Sequence, residues 1–390
     1  MKGTTFLLVL LLILSGCAAK PSDSIENRVV TDTTKIESST TPLNAGLHHI
    51  SEFSMHDNDK GWVLSGDEQG YKYLYHTQDR LQHLQDRTPW SMKQHVFFFA
   101  LNDQSAWAVW EDDNEKQLLI WHTNNGGVDW SQSSFNETIG ERGAGFHNLY
   151  FISDQIGWMH ITDNSGADFS TSLIYFTDTG GDSWKPIVTQ SDANIKLGVE
   201  GNKGKIMFKN QKEGFLGTTH VAKTPVWYRS HDSGNSWGLE PLIEATDHSG
   251  EERIFTVDTP IFFDDKQGIA AVTGNQLYSI FTTQDGGSTW IERFTNPSPN
   301  INQLSAIDTE HLWAVDNKFD LIHIDNIEDQ WQTVINAEKI SGIKNSIIQS
   351  SQFITDHEGW VSVGPAGASA NIYHTVDGGA SWEELEPIID

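Results

Sequence analysis

From residue 45 onward the chain is built of short apolar runs that alternate with polar positions, four to eight residues at a time. Alternation at that length predicts half-buried β-strands rather than helices. One signature recurs: "KGWVLS" at Trp62, "SAWAVW" at Trp107, "IGWMHI" at Trp158, "EGFLGT" at Phe215, "QGIAAV" at Ile269, "HLWAVD" at Trp313 and "EGWVSV" at Trp360. An apolar run precedes each copy, as in "HVFFFAL" and "HNLYFIS". A third run follows, as in "LLIWHT" and "NIYHTV", and then a fourth, as in "SWKPIV" and "TWIERF". Four strands therefore repeat as a unit, and turn signals separate them.

The turn between the third and fourth runs has its own spelling. "SHDSGNSW" covers Ser230 to Trp237, "TQDGGSTW" covers Thr283 to Trp290 and "TVDGGASW" covers Thr375 to Trp382. Weaker copies end at Leu84, Trp130, Trp184 and Trp331. The acidic or amide position is assigned to Asp79, Asn125, Asp178, Asp232, Asp285, Asp325 and Asp377. The residue types suit a joint. A short carboxylate or carboxamide accepts hydrogen bonds from nearby backbone N–H groups. Glycine adopts positive φ without steric cost. Tryptophan supplies a broad apolar plate. Units of four short strands at a period of about fifty residues predict an all-β fold. The expectation is a single seven-bladed β-propeller of four-stranded blades over residues 45–390.

The turn pattern resembles the Asp box, or bacterial neuraminidase repeat, which sits between the third and fourth strands of a blade. Its combination with the preceding "GWxV" strand is similar to the propellers of the photosystem II assembly factor family. That resemblance covers essentially all of the chain after residue 45. It implies the propeller fold and a structural role for the boxes, with binding by loops on the opposite face.

Composition narrows the partners. The 390 residues carry 53 Asp and Glu against 25 Lys and Arg, a formal charge of -28. Such a field repels nucleic acid and anionic headgroups. The single cysteine excludes an internal disulfide. It is Cys17, and it follows the apolar run "FLLVLLLIL" from Phe6 to Leu14. The run is too short for a mature membrane span and suits a secretory signal. Leu14-Ser15-Gly16-Cys17 resembles a bacterial lipobox, which implies cleavage before Cys17 and lipid on its thiol. Residues 1–16 are read as the signal and 17–44 as the lipidated cysteine with a polar tether. About 27 residues of coil would hold the domain roughly 25–30 Å from the membrane. The expected protein faces the extracytoplasmic side of a bacterial cell membrane and is monomeric.

Candidate binding residues are those the repeat does not require: Trp90, Asp112, Asp113, Arg142, Glu251 and Arg253. All fall in loops predicted on the face away from the boxes, where a rigid scaffold can present them. Of 15 tryptophans, five belong to the second-strand signature and six end turn copies, which leaves Trp90 and Trp110 as surface platforms once Trp121 and Trp227 are placed in third strands. The favoured role is a non-enzymatic binding or assembly module for an envelope protein, peptide or glycan. The alternative is a glycoside hydrolase of sialidase-like or related propeller type, with Arg87, Arg142 and Arg253 as a carboxylate grip and Asp112, Asp113, Glu251 and Glu252 as acids. The adjacent His48 and His49 lack further ligands at zinc spacing, and "DDNE" lacks the spacing of a calcium loop. No metal, cofactor or catalytic residue is therefore assigned. Cys17→Ser should abolish lipidation, so that the protein moves from the detergent phase to the aqueous phase on phase partition. Mass spectrometry showing an unmodified start elsewhere would overturn the anchor.

Overall fold

The computed structural model describes residues 49–112, 117–135, 144–166, 169–198, 200–243, 252–274, 277–296, 301–324 and 332–390. The segments 1–16 and 17–44, with Cys17, lie outside the described residues, as do Asp113, Arg142, Glu251 and Asp325. The regular structure of the described residues is almost all strand, with two short helices, Ala193–Lys196 and Ala337–Ser341.

Strands that follow one another in sequence lie side by side and antiparallel. The second unit is representative: Phe97–Ala100, Ala106–Asp112, Gln117–Thr123 and Ser131–Phe135, paired in that order. The fourth and fifth units share one nine-stranded sheet. Its bridge is a ribbon in which Arg253–Val257 pairs with Thr218–Ala222 of the fourth unit and also with Val272–Gly274 of the fifth.

Apolar clusters lie between consecutive units. Trp107, Val109 and Ile120 of the second unit pack with Phe151, Tyr175 and Trp184 of the third. Ile50, Phe53, Met55 and Tyr75 of the first unit pack with Trp360, Ile372 and Leu385 of the last. Two further ties join the chain's ends. The Gln352 carboxamide accepts from Met55 N–H at 2.7 Å and donates to Met55 C=O at 3.0 Å. Ile388–Ile389 adds a parallel fifth strand outside His83–Asp86, with Ile388 N–H on Gln82 C=O at 2.8 Å.

In five units the wedge is the second-strand tryptophan, and Phe215 and Ile269 take its place in the fourth and fifth units. Trp107 is fully buried, stacked 3.7 Å from Phe151 of the next unit and 4.7 Å from His122 of its own third strand. Trp158 stacks 3.6 Å from Phe208, and Trp313 lies between His323 at 3.9 Å and Phe353 at 4.5 Å. The histidine is the register partner of the tryptophan, as in Trp62↔His76 and Trp360↔His374. The spelling "HT" at the end of the third strand thus belongs to the wedge.

The turn motif works as a hydrogen-bonded joint. In the fifth unit the Asp285 carboxylate accepts from Thr283 Oγ1 at 2.9 Å, Thr289 N at 2.9 Å and Thr289 Oγ1 at 2.7 Å. Thr283 Oγ1 in turn accepts from Gly287 N at 2.9 Å. Asp79, Asn125, Asp232 and Asp377 make the equivalent bonds to the residue four positions on. Asp178 does not, which corrects its assignment. The turn keeps its phase, but Thr179 holds the acceptor position and accepts from Ser183 N at 3.0 Å, while Asp178, one residue earlier, pairs with Lys185 at 2.6 Å. The first glycine of the turn has positive φ, 75° at Gly286, and its N–H locks onto the turn between strands one and two at Lys266 C=O, 2.8 Å away. Gly126, Gly180 and Gly378 repeat that lock. In the first unit Arg80 and Leu81 hold the same turn at positive φ without glycine.

Hydrogen bonds from the Thr289 hydroxyl and backbone hold the Asp285 carboxyl down at about 2. A depressed carboxyl stabilises the fold above its ordinary value of 3.8, and that contribution is lost as pH falls through about 2. Asp285→Ala should therefore cost on the order of 1 kcal/mol in urea unfolding at neutral pH. The deficit should shrink as the wild type is acidified below its carboxylate range. An equal deficit at all pH values would contradict the joint.

Candidate functional site

First-strand residues of the first five units line a cavity of about 640 Å³. Its wall includes Glu52, Lys72, Phe97, Phe146, His147, Lys205 and Ile261. A second space of about 470 Å³ adjoins it at His147, Lys205 and Ile261 and extends to Asp258. Glu52 lies at the middle of its strand, whereas Lys72 begins a third strand and Phe97 begins a first strand. The cavity therefore opens at the end of the units away from the turn motifs.

Backbone irregularities aim the polar groups. The first strand of the first unit slips register between Ile50 and Glu52, making Ser51 an extra residue. The same slip makes His147 extra in the third unit and falls between Lys203 and Ile206 in the fourth. It recurs at Asn302 and Gln349 in the last two units. A bulge rotates the residues beside it, and here it turns side chains out of the strand's regular alternation into the cavity. Asp258 falls at the matching break between Arg253–Val257 and Ile261–Phe262.

Three charged groups alternate in sign here. Glu52, Lys205 and Asp258 are all reached by solvent, yet protein surrounds them. That enclosure pushes the Glu52 carboxyl up to about 7, with Lys205 opposing. Enclosure also raises Asp258, again against Lys205. Burial lowers His147, whose ring meets His160 edge-on at 5.0 Å. His160 is fully buried, accepts or donates at Ser172 Oγ at 2.9 Å, and is held well below the ordinary imidazole range by burial. Lys72 Nζ rests on Ser51 Oγ at the rim. Beside these charges the wall is apolar. Phe97 is 41% exposed, and its ring lies 4.7 Å from that of Phe146.

The sequence-derived candidates are dispersed. Trp90 is only 8% exposed, which corrects its placement as a surface platform. Its ring packs 5.5 Å from Trp121 and its Nε1–H donates to Lys72 C=O at 2.8 Å. Trp110 is half-buried under Lys93, whose ammonium sits 3.3 Å from the ring centroid. Asp112 ends a second strand opposite Gln117. Arg253 begins the bridging ribbon opposite Ala222 and is exposed. Arg87 runs the other way and packs beside Gly127 of a turn motif, so it is not grouped with Arg253. Sequence reasoning missed Glu52, Phe97, Phe146, His147, Lys205 and Asp258. One signal was available: three consecutive phenylalanines at 97–99 cannot all face one side of a strand.

No family model matches the chain, and no curated protein matches it. Solved structures do. YCF48 bound to D1 peptide aligns with a TM-score of 0.54 at 14% identity, over 85% of this chain and 92% of that one. The fold is a β-propeller. YCF48 from Cyanidioschyzon merolae aligns at 0.51 and 12% identity, over 85% of this chain and 96% of that one. A Mycobacterium tuberculosis puromycin-hydrolyzing peptidase aligns at 0.52 and 9% identity, over 89% of this chain but 54% of that one. In propeller terms each unit is a blade, and the cavity is the central channel.

Folding favours the neutral Glu52 carboxyl. Its contribution is therefore present below its ordinary value of 4.5 and is lost as pH rises through about 7. Glu52→Gln should leave stability nearly unchanged at acid pH and raise it at about pH 8, by on the order of 1 kcal/mol because water still reaches the group. Thermal melts at both pH values decide this. A variant less stable than wild type at alkaline pH would contradict the enclosure.

Proposed function

We propose that the chain is an extracytoplasmic, lipid-anchored propeller of seven Asp-box blades that binds an extended segment of an envelope protein at the mouth of its central channel. The role is that of a binding or assembly module without catalysis. The observation that carries the reading is the channel mouth itself. It offers the exposed ring of Phe97, backed by the buried ring of Phe146, beside the alternating charges of Glu52, Lys205 and Asp258. An aromatic pair of that kind suits an apolar side chain, and enclosed charges suit a polar backbone or side chain that completes their hydrogen bonds.

Two facts support the reading. The described chain begins at His49, in a strand whose first residue pairs with Gly66 at the channel-mouth end. On this reading a tether from Cys17 would join the propeller at that end and turn the channel mouth toward the membrane. YCF48, a propeller of similar fold, has been solved with a D1 peptide, so a propeller of this size accommodates a peptide. The seven-blade ring rests on the interlocking of first and last units through Gln352, Trp360 and Ile388–Ile389.

The test is an array of random octapeptides probed with the soluble domain. The expected result is enrichment of peptides with an aromatic or branched apolar residue. Phe97→Asp should weaken the enriched peptides by at least about tenfold, since a charge replaces apolar contact area, and should leave the melting profile intact because Phe97 is already wetted. An array without enrichment, or binding indifferent to Phe97→Asp, would defeat the channel-mouth reading.

A further inference from the structure

The innermost strand of a propeller blade has one edge without a strand partner, and this chain treats those edges unequally. Between the third and fourth blades, Asn148 sutures the edge. Its Oδ1 accepts from Ile206 N–H at 3.0 Å, and its Nδ2 donates to Ile206 C=O at 2.8 Å. Between the sixth and seventh, Gln303 accepts from Ser351 N–H at 2.9 Å and donates to Gln349 C=O at 2.7 Å. Ser305 there accepts from Phe353 N–H at 3.0 Å and donates to Phe353 C=O at 3.2 Å. Each suture needs a group that both accepts and donates, because an edge residue offers an N–H and a C=O together.

Register identifies the same position in the other blades. Asn148 lies opposite His160, two residues before the partner of Trp158. Gln303 lies opposite Val315, two before the partner of Trp313. In the first blade that position is Glu52, opposite Leu64 and two before the partner of Trp62. The edge it would suture is Phe98, which is opposite Ala108 and matches Ile206 and Ser351 in register. Leu101 N–H turns inward to Ser105 C=O, so the alternation of the ladder turns the N–H and C=O of Phe98 outward. Among the described residues no suture joins Glu52 to that edge. The Phe98 edge lines the cavity beside Phe97.

We propose that Glu52 is a proton-operated latch on the channel wall: neutral, it closes the Phe98 edge as Asn148 and Gln303 close theirs, and ionised, it leaves that edge to the backbone of a bound peptide. A neutral carboxyl has the hydrogen-bonding pattern of a carboxamide, with a carbonyl oxygen that accepts and an O–H that donates. A carboxylate only accepts, and would face the Phe98 carbonyl with like polarity. The surroundings put the exchange near neutrality. Enclosure favours the neutral form and raises Glu52 to about 7, Lys205 favours the ionised form, and Asp258 shares Lys205. His147 is lowered by burial and Lys72 is engaged by Ser51, so neither supplies a titrating countercharge. The latch rests on the peptide-binding reading for its purpose, although its closing is a property of the protein alone.

The decisive measurement is amide hydrogen exchange at Phe98 by NMR, normalised to the buried amide of Trp360. Wild type is compared with Glu52→Gln, a permanently closed latch, and Glu52→Ala, a permanently open one. At about pH 8 Phe98 should exchange about tenfold more slowly in Glu52→Gln than in wild type, and wild type should match Glu52→Ala. At about pH 5.5 wild type should match Glu52→Gln instead. Wild type indistinguishable from Glu52→Ala at both pH values would overturn the latch, as would equal exchange in all three proteins. Peptides enriched on the array should bind wild type more weakly at the lower pH, bind Glu52→Ala equally at both and bind Glu52→Gln poorly throughout. Peptide binding without any exchange difference would sink the latch and leave the peptide reading standing. The exchange pattern without peptide binding would do the reverse.

Discussion

A buried tryptophan wedged between neighbouring blades is the contact on which the rest of this structure depends. Removing such a ring from a core costs about 3–5 kcal/mol, whereas losing one turn acceptor costs on the order of 1 kcal/mol. The wedge therefore sets the energetics, and the turn sets its geometry. The two are joined directly: Trp107 Nε1 donates to Gly180 C=O at 2.7 Å, and Trp158 Nε1 donates to Ser233 C=O at 3.1 Å, both within turn motifs of the next blade. Positive φ in the turn is what presents those carbonyls. Because each wedge lies between blades, no blade buries its own core. The chain must then tie its last blade to its first, which Gln352 and Ile388–Ile389 do.

Much of this was legible in the sequence. The alternating runs gave the strands, and the repeated spelling gave the turn and the wedge. Two particulars were misread for physical reasons. Asp178 is the only acid in the first half of its turn, so spelling favoured it, but the joint needs an acceptor two residues after Thr177, and the Thr179 hydroxyl serves. Trp90 is not part of the repeat, so it was counted as free for binding. Its indole N–H finds a backbone carbonyl, and that satisfaction makes burial cheap. Ring closure was not legible, because Gln352 differs in no visible way from a surface glutamine.

The channel was illegible for a more general reason. Glu52, Lys205 and Asp258 lie far apart in sequence, and none belongs to a motif. Each stands at or beside a slip of register, and a slip is a count of residues against a partner strand. Only the pairing shows it. Gly204 and Gly217 illustrate the point. A Cβ on Gly217 would approach Val257 O to 2.8 Å, so the close passage of the bridging ribbon requires glycine there. In the sequence that glycine is merely one of 33.

The inner edges impose a choice on any propeller. An unpaired N–H and C=O must meet water, a side chain or a ligand. Where Asn148, Gln303, Ser305 and Gln352 meet them, the wall is sealed by groups that cannot change their hydrogen-bonding character with pH. Where Phe99 and Phe97 stand in the equivalent positions of the second blade, no suture is chemically available and the wall stays apolar. Glu52 differs from both. It has the length of the glutamine that would seal the edge and carries instead a group whose donor comes and goes with one proton. A sealed wall was within reach of one atom, oxygen for nitrogen, and a permanently apolar wall was within reach of the phenylalanine used next door. A titratable group at this position, surrounded by protein that brings it to about 7, makes the state of the wall depend on the ambient pH rather than on the fold alone.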